Sequence, residues 1–497
     1  MTFYVDPPVE TWRPPRPTDV VRQAVADAGV TLCESSDQSG GAVRPIIATG
    51  HQTFLWHPGI LAKYMAADAL ATSTGGTAWH VVVDQDVHDA STLELPTVRD
   101  GRLEVHRLKL GRDQPNLSLG FQPPFDAAAM RDVIQAAAES SSTSRRRSRG
   151  RDGRDGLDGF DGFDGTLAPP ASLDALVACA AELASQRFDS LADQMVGWLA
   201  VLMRPWVQFD TAKQAIRASR LLRTMPGRRL LDAMRDDPRG CVHAYNQAVA
   251  GNPQGGVKPL HEQHDRVELP LWWMATGQPR RRVYADIVGG RAELADNLGR
   301  VIDVDTMTDH ACLAPRALTL TAIIRGGLCD LFIHGRGGGL YDLAAEAWMS
   351  RWLDLTLAPM VVVSADVRLP FDAPVASETD YRDAVWRAHH LPHNVDRALG
   401  LNSPEATRKQ RLLATMNDDR DRGRRRVAFD EIHKVNANLV ATYPDVIAEA
   451  IRDREIAKCG LANHAIARRR DWCFAIYPDL KPLRLEVEQA MSAWRQV

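Results

Sequence analysis

The chain of 497 residues lacks an excess of charge of either sign, with 60 Lys and Arg against 63 Asp and Glu and a formal net charge of -3. General nucleic-acid binders carry a basic excess, so small molecules rather than nucleic acid are the expected partners, with room left for a local basic groove. The sequence also lacks any uncharged apolar run near the roughly 20 residues a transmembrane helix needs, and no membrane association is expected. Its start, MTFYVDPPVETWRPPRPT, has no basic segment followed by an apolar one; that argues against a secretory leader, and the expected location is cytoplasmic. Cysteine is sparse and scattered: Cys33, Cys179, Cys241, Cys312, Cys329, Cys459 and Cys473 contain no CxxC pair. Neither a zinc ribbon nor a dithiol redox motif is therefore expected, and reduced thiols fit a cytoplasmic protein.

What is present is an ordinary globular composition, 45% hydrophobic and 25% charged, on a chain long enough for more than one folding unit at roughly 100–200 residues each. After a Pro-rich, polar start with one short helical candidate at Val20–Ala28, Pro45–Ala48 reads as a buried strand. It opens into Thr49-Gly50-His51-Gln52, read as a turn, and a helix follows from Pro58 to Gly75-Gly76. Trp79–Val83 (WHVVV) is a second buried strand, and the three elements make a βαβ unit. A second α/β signal has Leu328–Ile333 as strand, His334 to Gly339 as a tight loop, Leu340–Leu353 as helix and Pro359–Val363 as the next strand.

Between these signals the composition changes. Arg145-Arg146-Arg147 leads into five triplets, RDG, RDG, LDG, FDG and FDG, from Arg151 to Gly165. The glycine period is too short and too poor in proline for collagen, and such a segment buries too little to offset its ordering entropy. The predicted division is therefore 1–137, first half of an α/β core; 138–170, a disordered insertion; 171–300, a helical and connecting insert with some β structure near 251–300; 301–375, second half of the core; and 376–497, a helical and highly charged C-terminal domain. Within the last, Ile432, Val435 and Leu439 share one helix face. Arg422, Arg424-Arg425-Arg426 and Arg468-Arg469-Arg470 read as solvated helix faces. His389-His390 and Leu391-Pro392-His393 have no partner at zinc spacing and read as a loop.

Three stretches have the residue types for chemistry. Thr49, Gly50, His51 and Gln52, with His57 before a helix start, resemble the strand–turn–helix geometry that offers free N–H groups to phosphate or carboxylate. Asp84, Asp86 and His88, with Asp89, follow a buried strand, where ligands of open α/β sheets gather. Their carboxylates and imidazole suit a divalent cation, a substrate amine or general-base work; a solvated acidic turn is the plain alternative. His334, Gly335, Arg336, Gly337, Gly338 and Gly339 form neither a Walker loop nor GxGxxG. Their glycines permit close backbone approach, and Arg336 offers a bidentate partner for an anion.

In order and spacing these motifs resemble the cysteine-adding enzyme (cysteine ligase) family of bacillithiol biosynthesis. A TGQQ-type turn there matches Thr49-Gly50-His51-Gln52 with one Gln replaced, and the GP of its helix start is inverted in Pro58-Gly59. An acidic EDHD-like segment corresponds to Asp84 through Asp89. An Arg ahead of a GGPGE-x-x-Y turn corresponds to Arg316 and the run from His334 to Tyr341, without the acidic residue and with Arg336 in place of proline. The resemblance spans about 45–375. It implies a Rossmann-like parallel-sheet core with inserted connecting segments, and a helical C-terminal domain with coiled-coil character. It also implies that cysteine is joined through its carboxyl group to the amine of glucosaminyl malate, an amino-sugar conjugate.

Because a free carboxylate must be activated before it forms an amide, ATP or ADP is the implied nucleotide, with Mg²⁺ compatible. Thr49, Gly50, His51, Gln52 and His57 would then cradle phosphates. Asp84, Asp86 and His88 would orient the amine or a metal. Arg316, His334, Gly335 to Gly339 and Tyr341 would complete the cleft. A nucleotidyltransferase-like ligase for another acid, or a non-catalytic nucleotide binder, fits the same residues, and a homodimer is compatible with them.

Overall fold

The computed structural model describes residues 1–8, 44–112, 114–147, 166–168, 171–288 and 291–493. The helix candidate at Val20–Ala28, Cys33 and the RDG/FDG triplets lie outside the described residues.

The chain begins with β1 (Thr2–Asp6), then β2 (Ile46–Gln52), α1 (Pro58–Thr74) and β3 (Thr77–Val83). An excursion follows: a hairpin of β4 (Thr92–Arg99) and β5 (Arg102–Lys109), α2 (Ala127–Arg147), the short β6 (Thr166–Leu167), α3 (Asp174–Leu183) and α4 (Leu191–Met203). The chain rejoins the main sheet at β7 (Ala215–Arg217), then forms α5 (Met225–Asp236) and α6 (Pro238–Gly251). Four strands, β8 (Arg266–Ala275), β9 (Arg281–Val288), β10 (Arg291–Asp296) and β11 (Ala311–Pro315), make an antiparallel sheet of order β10-β9-β8-β11. Next come α7 (Ala317–Gly327), β12 (Leu331–His334), α8 (Arg336–Leu353) and β13 (Met360–Asp366). The C-terminal helices are α9 (Glu378–His390), α10 (Val395–Ala398), α11 (Pro404–Asp418), α12 (Arg422–Thr442), α13 (Pro444–Ala467) and α14 (Lys481–Ala493).

The main sheet has the order β1-β13-β12-β2-β3-β7, parallel from β13 to β7, with β1 antiparallel on the edge of β13. The chain runs outward from β2 through β3 to β7, then returns to lay β12 and β13 on the other flank of β2. This is the Rossmann-like α/β core, and its strand order reverses between β2 and β12. Central strands of such a sheet are covered on both faces and read as unbroken apolar runs. Ile47 of β2 and Leu331 and Ile333 of β12 point into one core with α1 and α14; Ile46, Ala48 and Phe332 point into the other with α7 and α8. That alternation follows from the two-residue period of a strand.

Local chemistry sets the ends of α1. His57 caps it by accepting from the Gly59 N–H at 3.1 Å, Pro58 occupies the first turn, and Gly75 stops it at φ 64°. Proline fits there because its missing N–H would have no helical partner. In α12 the buried Ala428, Ile432, Val435 and Leu439 recur at four- and three-residue steps, so one stripe packs against neighbouring helices.

The structure departs from the sequence expectations in several places. Thr49 to Gln52 are the end of β2, paired with β3 as far as Gln52–Val83, and not a turn. Within the segment assigned to an insertion, 138–170, α2 continues to Arg147 and Thr166–Leu167 pair with β4. β7, within the segment expected to be helical, is a three-residue strand of the main sheet. His389 and His390 end α9 and are not in a loop. The C-terminal segment is not wholly separate: Trp472, Phe474, Leu480, Leu483 and Val487 are buried in the core beside α1. Among the described residues, no helix is long and apolar enough to cross a membrane, and Cys179, Cys241, Cys312, Cys329, Cys459 and Cys473 are free thiols.

One buried ionic network ties α7 to α8. Arg325 donates to Asp342 at 2.6 Å, to the Ala358 carbonyl at 2.7 Å and also to Glu346, with the Arg325 and Asp342 side chains 1% and 0% exposed. Breaking a buried pair strands a charge away from water. Arg325→Met should therefore lower unfolding stability by about 3–5 kcal/mol, read as a lower urea midpoint at unchanged slope. A loss below about 1 kcal/mol would show that Asp342 is paired adequately without Arg325.

Candidate functional site

At the carboxyl ends of β2 and β12, where the strand order reverses, lies a cavity of about 560 Å³. Open α/β sheets bind ligands at this point, and the volume is in the range of small-molecule sites. It is lined from β2 by Gly50, His51 and Gln52, from α1 by His57, Gly59, Ile60 and Lys63, and beyond β3 by Gln85 and Asp86. The other wall comprises Arg316, His334, Gly335, Arg336, Gly337, Gly338 and Tyr341, with Trp272 and Arg280 from the antiparallel sheet and Arg470 from the C-terminal segment.

Its electrostatics are one-sided. Lys63, Arg280, Arg316, Arg336 and Arg470 line the cavity against a single lining carboxylate, Asp86. Four of these cations have carboxylate partners. Arg280 meets Asp86 at 3.0 Å, Arg316 meets Glu268 at 2.7 Å, and Arg336 (3.3 Å) and Arg470 share Asp366. The guanidinium groups of Arg280 and Arg316 also lie 4.4 and 4.2 Å from the Trp272 ring, and Arg336 lies 4.8 Å from Tyr4.

Lys63 is different. It is 2% exposed, its Nζ donates to the Gly50 carbonyl at 2.7 Å, and among the described residues no carboxylate pairs with it. A Cβ on Gly335 would lie 3.7 Å from Lys63 Cδ, so the lysine stem runs beside the cap of α8. Burial brings the Lys63 ammonium down to about 7. Burial also holds His51 well below the ordinary imidazole range, helped by Lys63, and brings His57 to about 4, helped by Arg470.

The first turn of α8 supplies the matching donors. Gly335 caps it without a side chain, and Gly339 N–H is the first to close a helical bond, to Gly335 at 3.1 Å. The N–H groups of Arg336, Gly337 and Gly338 have no helical acceptor at this end. The glycines there do different work. A Cβ on Gly338 would strike His334 Nδ1 at 2.3 Å and one on Gly339 would strike Val362 at 2.3 Å, whereas Gly337 has open space. A bare helix N-terminus with a buried lysine beside it has the dipole and the charge to attract an anion.

Behind the cavity, His334 is 5% exposed and its Nε2 stands 2.8 Å from Asp342 Oδ2. Burial pushes the Asp342 carboxyl up, but His334 and Arg325 outweigh it and hold the group at about 2. Burial lowers His334, with Asp342 opposing.

Several sequence-derived roles change. Asp84 is buried and accepts from the Ser219 N–H at 2.9 Å and from its hydroxyl, so it anchors the end of β3 away from the cavity. His88 lies 3.4 Å from the Thr53 carbonyl and does not line the cavity. Only Asp86 of that trio does, accepting from Gln52 Nε2 at 3.2 Å as well as from Arg280. The three are directed to different partners, and among the described residues no group of three or more His, Cys, Asp or Glu stands as a metal cluster. Thr49 is no cradle residue either: its hydroxyl donates to the Ile333 carbonyl at 2.9 Å and joins β2 to β12. Gly50 is required by packing, since a Cβ would meet the Val81 carbonyl at 2.6 Å. Gly339 packs on β13 and does not line the cavity.

Sequence reasoning missed Lys63, Trp272, Arg280 and Arg470. Lys63 had a signal, a lysine one turn into a largely apolar helix; Arg470, read with its neighbours as a solvated helix face, lies past the end of α13 and lines the cavity. A second cavity of about 620 Å³ lies beside the β4–β5 hairpin. Its lining charges Glu94, Arg107, Arg469 and Asp471 are paired with one another, so it has no comparable uncompensated group.

No protein-family model matches the chain, and the comparison with curated proteins found no match. Among solved structures, one described as a "putative arginyl t-RNA synthetase" from Campylobacter jejuni aligns with 96% of this chain and 97% of its own, at 12% identity and a TM-score of 0.22. A likeness at that score carries neither fold nor activity across.

Lys63 makes a prediction with a definite sign. Its folded value near 7 lies below the ordinary 10.5, so between those pH values the unfolded chain holds a proton that the folded chain has released. Stability should rise with pH across that window, by at most about 1.4 kcal/mol per unit, and the full cost should persist below pH 7. In phosphate-free buffer Lys63→Met should raise the neutral-pH melting temperature and remove this component of the pH dependence. Parallel curves for the two proteins would refute a buried, uncompensated ammonium.

Proposed function

We propose that the switch-point cavity is the active site of an ATP-dependent ligase that activates a carboxylate and joins it to an amine. The observation that carries this is the unpaired Lys63 beside the uncapped N-terminus of α8, a site that fits a phosphoryl group. The donors fit the triphosphate by number and by charge: the first-turn N–H groups, Lys63 Nζ, and the Arg336 and Arg470 guanidiniums within reach of the same cavity. Bound ATP supplies the phosphorus that converts a carboxylate oxygen into part of a leaving group. The residues of this chain hold the phosphates, stabilise charge that develops on them and keep water from the activated acid. Asp86, set by Gln52 and Arg280, orients the ammonium end of the acceptor. The sequence resemblance supports cysteine as the acid and glucosaminyl malate as the amine. In this reading the amine attacks the activated acid directly.

Purified protein should consume ATP at useful rates only when cysteine and an amine acceptor are both present, and with glucosaminyl malate it should release their amide. Gly337→Ala adds a methyl group into open space and improves helix propensity, so it should leave the melting temperature within a degree or two. It should nonetheless weaken ATP binding at least about tenfold, near 1.4 kcal/mol, by crowding the phosphate. Unchanged affinity in this variant, or no ATP consumption with any acid and amine pair, would overturn the reading.

A further inference from the structure

We propose that His334, positioned by Asp342, is the base that removes the proton from the incoming amine. This rests on the ligase reading above and assigns a role that reading leaves open.

The geometry selects His334 among the groups lining the cavity. Asp86 is engaged by Arg280 and Gln52. His57 Nδ1 already accepts from Gly59 N–H as the cap of α1. His51 Nδ1 faces the Gln52 carbonyl at 3.4 Å, and no carboxylate backs the ring. Lys63 is spent on the Gly50 carbonyl and the anion. Among the described residues, His334 is the one lining histidine with a buried carboxylate behind it, at 2.8 Å from Nε2. An ionised Asp342 requires the proton of the neutral ring to sit on Nε2, which leaves Nδ1 with its lone pair. Nδ1 lies over Gly338, where any side chain would intrude to 2.3 Å, and Gly338 itself lines the cavity. Glycine at 338 places no side chain over the basic nitrogen.

The surrounding charges suit a base that is neutral at rest. Asp342 and Tyr341 face the ring from α8, Arg325 from α7 and Lys63 from α1. Burial, Lys63 and Arg325 disfavour the imidazolium, and Asp342 stabilises it once formed. In the step, the amine nitrogen attacks the acyl carbon and a C–N bond forms. His334 Nδ1 takes one proton from the acceptor ammonium and so frees its lone pair; as the C–O bond to the phosphoryl group breaks, phosphate or nucleoside monophosphate departs with the electron pair and carries off the second nitrogen proton. Asp342 touches no reacting atom and is a positioning residue.

Hydroxylamine separates activation from deprotonation, because it is unprotonated at neutral pH and attacks activated acids without a base. The full-length chain with ATP and cysteine would be assayed for hydroxamate with hydroxylamine and for amide with glucosaminyl malate, in wild type, His334→Gln and Asp342→Asn. The expected result is hydroxamate formation within about threefold of wild type in His334→Gln, with amide formation lower by about 10²–10⁴-fold and recovering as pH rises and the acceptor deprotonates in solution. Asp342→Asn should lose amide formation in the same selective way. Amide formation unchanged in His334→Gln would overturn the proposal with the ligase reading intact. Equal loss of both products would also overturn it, assigning His334 to binding. Wild type that forms neither product would overturn the ligase reading and this base together.

Discussion

The reversal of strand order between β2 and β12 is the constraint on which the site depends. β2 leaves the sheet into α1 on one face, and β12 leaves it into α8 on the other. Neither crossover can cover the gap between the two carboxyl ends, so a cavity opens there. The same divergence brings the buried side of α1, with Lys63, against the first turn of α8. The Thr49 hydroxyl on the Ile333 carbonyl and the Asp330 carboxylate on the Ile46 N–H hold the two strands in register. Their alignment fixes where the lysine, the helix N-terminus and His334 stand relative to one another.

That arrangement is expensive without a ligand. A buried ammonium next to the positive end of a helix has unfavourable charge on both sides, and burial alone draws its proton affinity down to about 7. Arg316, Arg336 and Arg470 are balanced from outside the cavity by Glu268 and Asp366, and Arg280 is balanced by Asp86 in its wall. Functional sites commonly keep such local cost because the partner that relieves it is the substrate. Arg470 gives the C-terminal segment a share in the wall. Trp472 and Phe474 are buried in the same core as Trp56 and tie that segment to α1's approach, with the Phe474 N–H bonded to the Trp56 carbonyl at 2.6 Å.

The sequence made the α/β core legible through short apolar runs, a Pro start and Gly stop on α1, and glycines after β12. It placed Gly50 to Gln52, His57, Asp86, Arg316, His334 to Gly338 and Tyr341 among residues that do share one cavity. It could not show what each residue does there. Gly50 and Gly339 serve packing, and Thr49 serves strand pairing, because close approach of neighbouring strands and helices demands the same small residues as ligand contact does. Asp84 and His88 look equivalent to Asp86 in sequence, but the chain turns after β3 and sends each to a different neighbour. β7 was invisible because three residues cannot display a strand period. Arg280 and Arg470 reach the cavity from elements with no local signature, so only tertiary structure reveals them.

The most direct test is a crystal structure of the full-length chain with a non-hydrolysable ATP analogue. The account predicts phosphate oxygens within hydrogen-bond distance of the N–H groups of Gly337 and Gly338 and of Lys63 Nζ, with the cavity between β2 and β12 filled. Phosphates bound elsewhere, with Lys63 still held only by the Gly50 carbonyl, would contradict it.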